Sequence, residues 1–139
     1  MFDELPPATV TDLLTFHLDM DAPVGQDVLF ALAQHAASNA ESQALEHLGS
    51  DFESFDVWRR ERYCLADVFK QFPSLRVDSA KLVALLPPLR PRYYSIASSP
   101  ERDGPYVTEV LFNLLEYFTP NKNSRSGLCT SFLAHVDTN

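Results

Sequence analysis

Pro87-Pro88, with Pro91 close behind, constrains this 139-residue chain more than any other feature. Proline lacks a backbone donor and disfavours helix in the residue before it, so no helix passes this point. The sequence changes character across it. Residues 1–88 carry apolar side chains at helical spacing. Residues 89–139 hold runs rich in Val, Leu, Phe and Tyr, punctuated by Gly, Pro and Ser. The fold class expected is α+β, divided into a helical part, 1–88, and a strand-bearing part, 89–139.

The helical part reads as a series of short amphipathic helices. Thr9-x-x-Asp12 has the form of a capping box ahead of Leu13, Leu14 and Leu18, and Asp21-Ala22-Pro23 ends that helix. Val28, Leu29, Leu32, Ala33 and Ala36 make one stripe over about 25–37. A piece over 41–48 is expected to stop at Gly49. Ser50-x-x-Glu53 is a second capping box, leading into Phe52, Phe55 and Trp58. Leu65, Val68, Phe69 and Phe72 form another stripe, closed by Pro73, and Asp78 or Ser79 caps a last helix through Leu86. No set of polar residues among these helices converges on chemistry.

Beyond the prolines, 91–98 and 106–117 read as strands joined by the turn-rich Pro100-Glu-Arg-Asp-Gly-Pro105, and 119–126 as a loop. Within Leu89-Arg-Pro-Arg-Tyr-Tyr-Ser-Ile-Ala-Ser-Ser-Pro100, residues 92 and 94 project to one face of an extended segment. Arg92 can hold an anion through its fixed fork of donors while Tyr94 offers a ring to a planar group. Ser95 faces away and would reach the same ligand through its backbone or a bend. A nucleotide with a diphosphate and an aromatic tricycle suits that set, and so does a half-buried strand with an exposed Arg. Gly127-Leu128-Cys129-Thr130-Ser131-Phe132-Leu133 reads as a glycine turn into a short helix capped by Thr130 or Ser131. Its first N–H groups suit an anion; a plain capped helix also fits.

Composition narrows the classes. The net charge is −8, from 14 acids and 5 bases over 1–80 against 5 acids and 6 bases over 81–139. An acidic front disfavours nucleic acid and anionic membrane as partners. The rear, with Arg90, Arg92, Lys122 and Arg125, is the better place for an anion. Cys64 and Cys129 make neither a disulfide framework nor a metal spacing, and His17, His35, His47 and His135 are scattered, so no metal site is expected. No apolar run approaches the roughly 18 residues of a membrane span. Without a recognisable leader, a reducing cytoplasm is the expected compartment.

Three ordered stretches together, Leu89–Ser99, the apolar run ending in Glu116-Tyr117, and Gly127–Leu133, resemble the FAD-binding region of the diflavin NADPH reductases. Thr11–Pro23 and Phe72–Val77 are similar to the helical connecting domain that this family inserts into its FAD-binding barrel. The resemblance covers nearly the whole chain. It implies part of an antiparallel β-barrel of ferredoxin-reductase-like type following the connecting domain. Val110–Tyr117 with Cys129 is most similar to methionine synthase reductase, whereas Phe72–Val77 leans toward nitric oxide synthase.

The resemblance also implies roles. Arg92 would neutralise the FAD diphosphate, Tyr94 would stack on the isoalloxazine, and Ser95 would hydrogen-bond near its reactive nitrogen. Tyr117 would lie near the adenine, and Gly127, Leu128, Cys129 and Thr130 along the diphosphate. Electrons from NADPH would pass through FAD to FMN and on to an acceptor protein such as methionine synthase. The FMN domain, the NADPH domain and the first barrel strands have no counterpart here. The chain is therefore expected to be a segment of a larger protein that does not turn over NADPH alone. The competing class is a non-catalytic interaction module that retains the flavin-binding fold; a small standalone flavin binder is a third.

Overall fold

The computed structural model describes residues 9–136. The described chain forms two compact units, divided between Arg90 and Pro91. The first is helical, and the second carries a two-stranded antiparallel sheet and a closing helix. This α+β arrangement is the fold class expected from the sequence.

In the helical unit, α1 (Val10–Asp12) opens with the expected capping box, Asp12 N–H donating to Thr9 Oγ1 at 3.1 Å and Thr9 N–H returning to Asp12 Oδ2 at 3.1 Å. It widens into a π-helical turn, Leu13–His17. There follow α2 (Gln26–Ala33), α3 (Asn39–Ser50), α4 (Phe52–Arg59), α5 (Leu65–Gln71) and α6 (Ser79–Leu85). The apolar stripes build the core: Leu29, Leu32, Leu45 and Val68 are fully buried, with Leu18, Leu65, Phe72 and Leu86 around them. Each of those leucines, removed from water, contributes on the order of 2 kcal/mol.

The double proline is held through the Pro87 carbonyl. Pro87 O accepts from Asp19 N–H at 2.9 Å, and Leu89 N–H donates to His17 O at 2.7 Å, so the unit's end lies antiparallel to the exit of its first helix. Phe72–Val77 plays a structural part. The Ser74 hydroxyl donates to Glu41 Oε2 at 2.7 Å and accepts from Ser38 N–H at 3.0 Å, tying that loop to the start of α3.

Helix boundaries differ from expectation in several places: the first helix stops at His17 rather than at Asp21-Ala22-Pro23, α2 stops at Ala33 rather than near 37, and two further differences have clear causes. Helix α3 continues through Gly49, because the glycine is there for closeness: a Cβ at 49 would fall 2.7 Å from the Phe30 backbone on α2. Helix α4 is capped by Asp51, whose carboxylate accepts from Ser54 N–H at 2.8 Å, while Ser50 donates back to Glu46 O inside α3.

In the second unit, α7 (Pro100–Asp103) occupies the expected turn, with Pro100 in its first position and Gly104 ending it at φ +95. The flanking segments do not form the expected two-stranded ladder. Ile96 and Val110 make a single antiparallel bridge. The reason is local: the Ser98 hydroxyl donates to Val107 O and accepts from Glu109 N–H, standing where a backbone group would sit, and Pro91 has no N–H to give. The ladder forms later, between β1 (Glu116–Phe118) and β2 (Ser124–Ser126), so part of the expected 119–126 loop is strand. Their turn is tight, with Lys122 at φ +62 and the buried Thr119 bonded to Asn123. Helix α8 (Leu128–Ala134) follows, capped by Gly127 rather than by Thr130 or Ser131.

Candidate functional site

The Ile96–Val110 bridge fixes a register for the Arg92–Ser95 motif. Ala97 N–H donates to Glu109 O at 2.8 Å, so Ile96–Val110 is a non-hydrogen-bonded pair, the kind whose side chains approach most closely. Carrying that register onward sets Tyr94 opposite Phe112 and Arg92 opposite Leu114, all on the face that holds Ile96 and Val110. The rings agree with it: Tyr94 and Phe112 meet edge to face, centroids 6.1 Å apart at 67°. Tyr94 is half-buried and Arg92 exposed on this face. Ser95, exposed, alternates to the other side.

The Gly127–Thr130 stretch is anchored to the end of the apolar run. Gly127 N–H donates to Leu115 O at 2.8 Å, and Leu115 N–H donates to Thr130 Oγ1 at 3.3 Å, extending the register by which Tyr117 faces Arg125. A Cβ at 127 would lie 2.8 Å from Thr130 Oγ1 and 2.9 Å from Leu115 Cβ, so only glycine lets the turn close this tightly. The Thr130 hydroxyl proton goes to Gly127 O, which commits it to the turn. The N–H groups of Leu128, Cys129 and Thr130 precede the first bond within α8.

The two motifs meet at one point. Interaction with the Cys129 side chain, followed by burial and the charge Cys129 can carry, raises the Tyr94 pKa, while Arg92 pulls it the other way. Arg92, Tyr94 and Cys129 are thus neighbours although their motifs lie far apart in sequence. Ser95 stands on the opposite face and Tyr117 on the β1–β2 ladder. Sequence reading passes over Phe112, although apolar alternation at 110, 112 and 114, paired across the 100–105 turn, points to it.

The helical unit holds a cavity of about 300 Å³ lined chiefly by Val24, Val28, Leu65, Leu86 and Asp27. None of the residues proposed from sequence to hold a ligand lines it. Among the described residues no group of three or more His, Cys, Asp or Glu could hold a metal, and no helix is long and apolar enough to cross a membrane.

Comparison with known proteins bears on the whole chain. The family model described as FAD binding domain matches residues 3–132. Nitric oxide synthase of Drosophila melanogaster is 33% identical over 135 residues, 95% of this chain and 10% of that protein. The inducible nitric oxide synthases of Sus scrofa and Gallus gallus are 37% identical over 136 residues and 30% over 139, covering 95% and 98% of this chain and 12% of each protein. The chain spans about a tenth of the length of these relatives. Its match to the family model runs through both the helical unit and the residues about Tyr94 and Cys129, and on that match the chain belongs to the FAD binding domain family.

Proposed function

We propose that this chain forms one wall of the FAD site in the reductase region of a nitric oxide synthase-type diflavin flavoprotein. The meeting of Arg92, Tyr94 and Cys129 carries the reading. A guanidinium, a half-buried ring beside it and the backbone donors that open α8 are the chemistry that a dinucleotide with a diphosphate and a flat tricycle requires, and they lie in one unit. Among these residues Arg92 would neutralise phosphate, Tyr94 would lie against the isoalloxazine, and Leu128 and Cys129 would offer backbone N–H groups. Thr130 would contact phosphate only by withdrawing its proton from Gly127 O. Ser95 would bond the tricycle through its backbone or a local bend, and Tyr117 would serve the adenine end.

When bound, FAD supplies a carrier that takes electrons in a pair and releases them singly. The chain's own residues hold charge, orient the ring and keep one side of it dry. In the parent protein NADPH would be the donor, FMN on a separate domain the next carrier, and a separate electron-acceptor protein the destination, in a reducing cytoplasm. The finer alternative, methionine synthase reductase with methionine synthase as acceptor, rests on Val110–Tyr117 and Cys129; the similarity to nitric oxide synthases supports the other branch.

Titrating the chain into FAD while following flavin fluorescence tests the reading. Stacking on Tyr94 should quench emission, and Arg92→Ala should weaken binding by roughly 1–3 kcal/mol through a lost charged hydrogen bond. Equal affinities for wild type and variant would remove Arg92 from the site. No binding by either would favour the interaction module.

A further inference from the structure

Two side chains bear on Tyr94: Cys129, which acts on its phenol, and Phe112, whose ring lies against its own. We propose that Phe112 is a positioning residue for the flavin, setting the tilt of Tyr94 through their edge-to-face contact; this rests on the reading that Tyr94 stacks on FAD. The register argues it independently of the ring distance. Carried on from the single Ile96–Val110 bridge, the register would set Tyr94 opposite Phe112 as a non-hydrogen-bonded pair, where cross-strand side chains lie closest.

An edge-to-face pair favours one interplanar angle, because the positive ring edge seeks the negative face of its partner. The observed 67° lies within that preference. A tyrosine restrained only at its phenol could still swing about its long axis. With Phe112 against it, the ring is held at a fixed inclination, and a ligand stacking on it pays less ordering entropy. Ser95 and Leu111, which face the other way at this level of the pair, offer no such restraint: Leu111 is 87% exposed. Phe112 is half-buried, as a residue packed on a neighbour in its own layer should be.

The test uses the full chain, FAD as the probe, and the variants Phe112→Leu, Phe112→Tyr and Tyr94→Leu with the Tyr94→Leu/Phe112→Leu pair. Affinity comes from fluorescence titration, and ring geometry from the visible circular dichroism of the saturated flavin. Phe112→Leu should bind FAD roughly three- to tenfold more weakly and alter the dichroic band. Phe112→Tyr, which keeps the ring, should restore both. In the Tyr94→Leu background the Phe112→Leu change should lose its effect, since its influence runs through Tyr94. Should Phe112→Leu depart from wild type in far-UV dichroism, Phe112→Ile, suited to extended backbone, takes its place. An unchanged affinity and band in the ring-less variant, or an equal loss with and without Tyr94, would overturn the inference while leaving the FAD reading intact. Failure of the wild type to bind FAD would overturn both.

Discussion

The Tyr94 phenol interacts with the Cys129 side chain, so the first and last motifs of the second unit bear on each other at one phenol and one thiol. The Tyr94 pKa is raised chiefly by that interaction, which favours the neutral phenol. A group whose pKa is raised on folding contributes stability that is fully present below its unfolded value, about 10 for tyrosine, and is lost as pH rises through the folded value. Cys129→Ala should therefore move one tyrosine ionisation downward in an ultraviolet titration near 295 nm and bring the alkaline loss of stability to lower pH. Cys129→Ser, which keeps a hydrogen-bonding group but not the charge, should retain most of the upward shift. Identical titrations for wild type and the alanine variant would show that the contact is not made in solution.

Gly49→Ala sets two effects against each other. In an exposed helix, alanine is favoured over glycine by about 1 kcal/mol. Here the new Cβ would lie 2.6 Å from Phe30 Cβ and 2.7 Å from its backbone nitrogen, and backbone cannot swing aside as a side-chain tip can. Overpacking of this kind costs typically 1–3 kcal/mol. The variant should be destabilised in a urea titration, and Phe30→Ala, which leaves the backbone in place, should not rescue it.

The cap of α4 sets the sign of an acid effect. The Asp51 carboxylate is held below its ordinary pKa first by its bond with Ser54. A depressed pKa contributes stability present above the unfolded value, near 4, and lost as pH falls through the folded one. Asp51→Asn keeps an oxygen for the cap, so its melting temperature at pH 7 should stay close to wild type while its acid limb flattens. Asp51→Ala should lower the melting temperature by a few degrees at pH 7. The check is the difference in melting temperature between wild type and each variant from pH 7 to 3.

What could be read from sequence divides along physical lines. Stripes such as Leu65, Val68 and Phe72 declare themselves because burial acts on a helical period that the sequence carries directly. Gly49 misleads because the same residue serves a helix end or a close crossing, and only the position of Phe30 decides between them. Ser98 breaks a ladder by offering its hydroxyl in place of a main-chain partner, which strand propensity does not encode. At the site, the shared face of Arg92 and Tyr94 follows from alternation alone. The approach of Cys129 to Tyr94 depends on a turn, a ladder and a helix acting together. Phe112 needs the register, and the register needs the single Ile96–Val110 bridge.

The turn into α8 brings this dependence to a test. Gly127 has ordinary backbone angles, so alanine would meet no conformational penalty there; its penalty is space, with Thr130 Oγ1 at 2.8 Å and Leu115 Cβ at 2.9 Å from the added carbon. Relieving that contact must lengthen the Gly127–Leu115 bond, now 2.8 Å, or the Leu115–Thr130 bond, now 3.3 Å. Either way Cys129 moves relative to Tyr94. Thr130→Val keeps the volume and loses both hydroxyl bonds, costing about 1 kcal/mol, whereas Thr130→Ser keeps them. Gly127→Ala should cost about 1–3 kcal/mol by overpacking. The expected order of stability in denaturant is wild type level with Thr130→Ser, then Thr130→Val, then Gly127→Ala, and FAD affinity should follow the same order. Gly127→Ala matching wild type in both would mean that the turn tolerates a wider opening and does not govern the placement of Cys129.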